Sequence, residues 1–344
     1  MFGKKTSLMV AAAVSLAMLT GCSQTGKKPE EKPAKGAEQK QIVMKVGHAH
    51  PIGTPRHQSY LKFKELVEQK TNNAIKVEVY PSAQIGDEIA MIDAVKMGTL
   101  QSTRGGPFER MAPELLVYTM PFLFDNLDSI EKVSMGPIGD RIAKNAEKNG
   151  LIILTTGDGG GFRNISNNKR PIKTPDDMKG LKLRTPPIES IIKTMEAFGA
   201  NPVSIPFGET YMALKTNVAD GQENPMVNME SMKFHEVQKY LTVIEYQFHP
   251  DPFLVNLKWY KALSPEQQNI LKESAVEAMK LNDRLMNEAN KKALENVRKS
   301  LEVTVLTPEQ RQQFRAKVAP VYDYFIKKGL FTQKDIDDIK AAVK

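Results

Sequence analysis

Hydrophobic positions along this chain fall into short buried runs that alternate with stretches of helical period. IVMKVGHAH at 42–50 has the apolar density of a buried strand, and Thr54-Pro55 follows it, a capping threonine with proline at the first helical position. Tyr60, Phe63 and Val67 then share one helix face. AIKVEVYP at 74–81 alternates as a strand, and DEIAMIDAVKMG at 87–98 returns to helical period before a glycine stop. This succession of strand, helix, strand and helix predicts an α/β fold, a parallel or mixed sheet covered by helices.

ELLVYTMPFLFDN at 114–126 is the most apolar and aromatic passage and reads as core. Residues 127–149 read as helical up to Gly150, and Leu151-Ile152-Ile153-Leu154 as a buried strand. Beyond them, LKLRTP at 181–186 is a short strand, while 240–248 and 252–260 are strands or extended crossings. Ser264-Pro265-Glu266-Gln267 and Thr307-Pro308-Glu309-Gln310 are near-identical capping boxes. They predict a long helix from 265 to about 299 and another from 308 to about 327, separated by LEVTVL. The chain carries no internal repeat.

The N-terminus changes the picture by fixing a compartment. Lys4 and Lys5 precede an apolar run from Leu8 to Leu19, too short for a comfortable membrane span and fitted to a secretory signal. Leu19-Thr20-Gly21-Cys22 matches a lipobox, which predicts cleavage before Cys22 and a lipid on its thiol. Residues 23–41 lack aromatic residues and apolar period, so they read as a disordered tether reaching roughly 25 Å. As the only cysteine of 344 residues, Cys22 leaves no disulfide within the chain and no cysteine metal site. Most of the formal +8 charge weakens as a nucleic-acid argument once the signal and tether are set aside. The body keeps +4, scattered with no basic block longer than a pair, so nucleic acid is not an expected partner.

Candidate chemistry concentrates between Gly157 and Asn228. The run Gly157-Asp158-Gly159-Gly160-Gly161 lacks the Gly-Lys-Ser/Thr of a phosphate loop and reads as a turn that lets backbone approach something closely. No Gly-x-Ser-x-Gly is present. His48, His50 and His57 cluster near a strand end, but they lack a local carboxylate to complete a metal set, and His50 suits a hydrogen-bonding cleft wall better. Arg163 and Arg184, with Asn224 in DGQENP, form the better case, because guanidinium matches a carboxylate through two parallel hydrogen bonds. The alternative for each arginine is an ion pair with a neighbour such as Asp176 or Asp177.

Several strings carry a family resemblance: GFR at 161–163, RPIKTPDDMKGLKLRTP at 170–186, GANPVSIPFGETYMALKTNVADGQENP at 199–225 and KFHEVQKYL at 233–241. With YPSAQIGDE and VYTMPFLFDN upstream, the body from about residue 42 resembles the DctP-type solute-binding proteins of tripartite ATP-independent periplasmic (TRAP) transporters. The resemblance implies a two-domain periplasmic-binding-protein fold with a ligand cleft between the domains and a long helix spanning both. On that basis domain I takes 42–161 plus 250–285, and domain II takes 162–249 plus 286–344. It further implies that Arg184 makes the dominant salt bridge to a ligand carboxylate, assisted by Arg163 and Asn224, with Phe207 packing on the ligand. Arg104 either meets a second carboxylate or hydroxyls or serves as a strut, while His50 and Glu88 complete the opposite wall.

The resulting expectation is a monomeric, lipid-anchored, extracytoplasmic binding protein without catalysis or cofactor. It would deliver a sugar acid such as a uronate, or a C4-dicarboxylate-like acid, to a TRAP permease. Two other uses of the same grip are a ligand sensor docking on a membrane receptor and an extracellular lipoprotein enzyme acting on acidic sugars.

Overall fold

The computed structural model describes residues 41–343 except 111 and 135, so the signal segment, Cys22 and the tether up to residue 40 lie outside the described residues. The described strands are β1 (Ile42–Gly47), β2 (Ile75–Tyr80), β3 (Ser102–Arg104), β4 (Leu151–Phe162), β5 (Asn164–Asn167) and β6 (Lys182–Thr185). They continue with β7 (Asn201–Ser204), β8 (Gly221–Asn224), β9 (Tyr240–Val243), β10 (Phe248–Asn256) and β11 (Glu302–Val305). Two mixed sheets result, one ordered β2-β1-β3-β10-β4 and the other β11-β9-β5-β8-β6-β7. In the first, β1 pairs in parallel with β2 and β3, while β10 runs antiparallel to β3 and β4.

The chain passes between the sheets where β4 ends at Phe162 and β5 begins at Asn164, with Arg163 as the residue between. The return passage lies beside it, for the Arg163 amide donates to the Gln247 carbonyl at 2.8 Å. A third connection is the helix Pro265–Val297, whose 33 residues run about 50 Å. Its N-terminal half buries Leu271, Ala275, Ala278 and Met279 against the first sheet and the helix Pro55–Lys70. Its C-terminal half buries Ala293 and Val297 with Met229, Phe234 and Leu241. Between these apolar ends Asn282 donates to the Asp158 carbonyl at 2.7 Å and Asn290 to the Gly160 carbonyl at 2.6 Å, fixing the helix to the strand passage.

The capping boxes at Ser264 and Thr307 form as read, each side chain accepting from the third helical amide. Other expectations need correction. The helix read over 127–149 is broken into Leu127–Ser134, Pro137–Ala146 and a short 3-10 turn, because Pro137 has no amide to continue a ladder and starts a new helix instead. Likewise the stretch 308–327 divides into Pro308–Arg315 and Ala319–Lys327, with Pro320 in the first turn of the second. The glycine run read as a turn is extended, forming the end of β4 against β10. Its glycines answer to packing: a Cβ on Gly157 would lie 2.3 Å from the Met279 side chain. At Gly160, φ is +146° and a Cβ would meet Pro225 at 2.8 Å. Phe108, Leu116, Phe124 and Ile142 share one core with Leu183, Phe198 and Phe314.

Candidate functional site

Short strands with polar ends build the second sheet's wall of the cleft. Arg184 lies on β6, opposite Val203 of β7 and Gln222 of β8 in the parallel register. Asn224 closes β8 and pairs with Asn164, which places it beside Arg163. Arg163, Arg184 and Asn224 are all buried, at 1 %, 0 % and 2 % exposure.

The two arginines are treated differently. Arg163 holds the Glu223 carboxylate from two nitrogens, with Nη2 to Oε1 at 2.7 Å and Nε to Oε2. Its Nη2 also donates to the Glu223 carbonyl at 3.0 Å and reaches the Asn224 Oδ1 at 3.4 Å, and Tyr246 donates to Glu223 Oε2 at 2.6 Å. The Nη1 of Arg163 lies 3.0 Å from His249 Nδ1, and since a guanidinium only donates, that nitrogen is the acceptor and the imidazole is neutral. Burial, followed by the Arg163 charge, holds the His249 pKa well below its ordinary value. For Arg163 burial alone would lower the pKa, but Glu223 outweighs it and the net direction is upward. Arg163 is thus ion-paired, with Glu223 rather than Asp176 or Asp177. Asp176 pairs with Lys179 on the surface, and Asp177 completes a capping box with Thr174.

Arg184 has no such partner. Its Nε donates to the Ile205 carbonyl at 2.9 Å, while Nη1 and Nη2 are buried without a hydrogen-bond partner among the described residues. Burial lowers its pKa to about 10, with Glu223 opposing, so it stays charged at neutral pH. A buried cation with two idle donors is costly, and an incoming carboxylate offers what those donors lack.

His50, Glu88 and Gly106 face this wall from the first sheet's side, and together with Arg163, Arg184, Phe207, Asn224, Asn228 and His249 they line a cavity of ≈ 20 Å³. That is room for about one water molecule, so admitting an organic acid requires the walls to part. Phe207 packs against His50 with the rings tilted and their centroids 5.0 Å apart, giving the cavity an aromatic side. His50 is held neutral by burial and then by Arg56. Glu88, in the first turn of the helix Glu88–Met97, has its pKa raised by burial, with Arg56 and Arg184 opposing from the two sides.

Arg104 stands outside that lining. Its Nη2 reaches Asp251 Oδ2 at 2.5 Å and Asn282 Oδ1 at 3.0 Å, and its Nη1 donates to Ser59 at 2.6 Å, which is the strut arrangement. The guanidinium also lies 5.1 Å from the Tyr60 ring centroid. Sequence reasoning missed Glu223, Asp251 and Arg56. Glu223 sits within DGQENP, one residue before Asn224, so proximity to the chosen amide was its only signal. Asp251 and Arg56 are 195 residues apart and carry no local mark of their pairing. Among the described residues no group of three or more His, Cys, Asp or Glu is placed to hold a metal.

Two mixed sheets joined by paired strand passages and a long helix, with a charged cleft at the joint, define a periplasmic-binding-protein fold. The sequence model described as Bacterial extracellular solute-binding protein, family 7 (DctP) matches residues 46–328, and the chain belongs to that family. It is 32% identical over 303 residues to the 2,3-diketo-L-gulonate-binding periplasmic protein YiaO of Escherichia coli, covering 86% of this chain and 92% of that one. It is also 32% identical over 291 residues to the C4-dicarboxylate-binding protein DctB of Bacillus subtilis, covering 83% and 82%. Among solved structures, the sugar acid binding protein DctPAm of Advenella mimigardefordensis, in complex with galactonate, superposes with a TM-score of 0.83. That match has 28% identity and covers 88% of this chain and 98% of that one. The family consists of extracytoplasmic solute-binding proteins of TRAP transport, not enzymes.

Proposed function

We propose that this protein captures an organic acid by a salt bridge from Arg184 to the ligand carboxylate and delivers it to a TRAP permease. The observation that carries this reading is the buried Arg184 guanidinium, whose Nη1 and Nη2 have no partner among the described residues. Two charge-assisted hydrogen bonds there contribute roughly 1.5–3 kcal/mol each. Arg163, fixed by Glu223, holds Asn224 in place beside the carboxylate, and Phe207 with His50 packs on the ligand's body. Glu88 accepts from a ligand hydroxyl, and Arg104 braces the floor. The ligands named for the relatives, a diketogulonate, C4-dicarboxylates and galactonate, all carry a carboxylate and favour a sugar acid or a dicarboxylate here.

In this reading the two sheets belong to two domains that rotate about the paired passages at 162–164 and 246–249, opening the cleft to admit ligand and closing over it. The protein acts as a monomer held at the outer face of the membrane by lipid on Cys22. Calorimetry of wild type and Arg184→Ala against galactonate, glucuronate and succinate tests the site. Loss of binding with the native melting profile kept supports it, and wild-type affinity in the variant sinks it. Release of Cys22→Ser from the membrane fraction tests the anchor, and retention of that variant argues against it.

A further inference from the structure

Arg56 lies in the first turn of the helix Pro55–Lys70, a place where an arginine ordinarily reaches solvent, yet it is 0 % exposed. Its Nε donates to Asp251 Oδ2 at 3.1 Å, the same oxygen that receives Arg104 Nη2 at 2.5 Å. Two guanidinium groups therefore share one carboxylate oxygen. The Nη1 and Nη2 of Arg56 are buried with no hydrogen-bond partner among the described residues. They face the backbone of Gly105, where φ is +77° and a Cβ would lie 2.6 Å from Nη1. The next residue, Gly106, lines the cavity, so two successive positions without side chains separate the guanidinium from the cleft. Arg56 is also the leading charge felt by His50 and Glu88, both of which line that cavity.

Resting on the reading of Arg184 as the carboxylate anchor, we propose that Arg56 is a second ligand contact. Its Nη1 and Nη2 take oxygen atoms at the end of the acid remote from Arg184. The cognate ligand is then an acid with an oxygen-rich far end, a second carboxylate or hydroxyls, and not one with an alkyl tail. An alkyl end closed over this wall would leave the two donors of Arg56 unsatisfied in a cavity sealed from water, at the cost that buried unpaired polar groups carry. Asp251 meets both cations through Oδ2 alone, so neither Nη1 nor Nη2 of Arg56 is satisfied by it in this structure.

The test is a matched ligand series on the wild-type protein by calorimetry, comparing succinate with butyrate and galactonate with hexanoate. Each pair shares a chain length and differs in the oxygens that Arg56 would meet. The oxygen-bearing member of at least one pair should bind about 10-fold tighter or more. A larger gain in the succinate pair identifies a carboxylate as the partner, and a larger gain in the galactonate pair identifies hydroxyls. Equal affinities within both pairs overturn the contact. Arg56→Lys, which keeps a cation beside Asp251, should lose about that factor for the oxygen-rich acid and so narrow its advantage over the alkyl member of the pair. Unchanged binding of every acid by this variant also overturns the proposal, and if the variant does not fold, Arg56→Gln, which keeps a donor beside Asp251, takes its place with the same expected loss. Arg184→Ala separates the two readings, since it should lose all four acids. Binding that survives it refutes the anchor, whereas lost discrimination with the anchor intact refutes only Arg56.

Discussion

The two walls of the cleft are built from the same parts and use them differently. Each sets two buried arginines around a buried carboxylate: Arg163 and Arg184 around Glu223 on the second sheet's side, Arg56 and Arg104 around Asp251 on the first. On the second sheet the acid commits both oxygens to Arg163, so Arg184 remains without an ion pair of its own. On the first, one oxygen of Asp251 is divided between both cations. A committed pair gives a rigid wall with one undistracted anchor. A divided acid gives two partly satisfied cations, and on the proposed reading Arg56 turns its free donors to ligand groups. Pairing, more than the presence of arginine, separates scaffold from contact.

Breaking the committed pair has the largest expected effect. Glu223→Gln leaves Arg163 buried and uncompensated and should destabilise the protein by about 3–5 kcal/mol, read as a lower midpoint in urea. A midpoint within error of wild type would show that Arg163 does not depend on Glu223. Arg184→Met should do the opposite. Removing a buried cation that lacks an ion pair leaves the ligand-free protein within about 1 kcal/mol of wild type or above it, while binding of the acid falls about 100-fold or more. A marked loss of stability in that variant would move Arg184 to the scaffold side of the comparison.

The joint between the walls should respond to pH. Burial raises the Asp158 pKa to about 7, with its Oδ1 accepting from the Gly160 amide at 2.7 Å and with Asp283 nearby. Because the folded value lies above the unfolded one, Asp158 contributes stability that is full below about pH 4 and is lost as pH rises to about 7. Asp158→Asn should remove a slope of up to about 1.4 kcal/mol per pH unit across that window, measured by denaturation at pH 5, 6 and 7. Parallel pH profiles for the two proteins would exclude the assignment. The smallest effect belongs to Asp176→Ala, which cuts an exposed pair with Lys179 and should change stability by less than about 0.5 kcal/mol and ligand affinity not at all. A measurable loss of binding there would revive the surface ion pair as a site element.

Much of the scaffold was legible where the signal is local. Proline and a capping hydroxyl mark helix starts within four residues, and the long helix ends within two residues of its expected limit. That Arg163, Arg184 and Asn224 come together at one cavity was legible because they stand at strand ends in one stretch of chain. Their division of labour was not, because it depends on which nitrogen faces Glu223, a relation set by the pairing of β5 with β8. The glycine run misled for a related reason. Its residues avoid side chains to admit Met279 and Pro225, contacts that arrive from 122 and 65 positions downstream. Arg56 was illegible in the same way, since its burial comes from Asp251 on β10 and no period within the helix announces it.

The order of these groups along the chain bears on how the protein can diversify. On the proposed reading the gripping residues stand in one continuous segment, from Arg163 to Asn224, which a single exchange between relatives would carry together. The proposed reading residue, Arg56, depends on Arg104 and Asp251, three loci brought together only by β3, β10 and the helix that starts at Pro55. Recombination can therefore inherit the grip as a module, whereas a new appetite must be reached by separate substitutions that keep a shared buried acid in balance at every step.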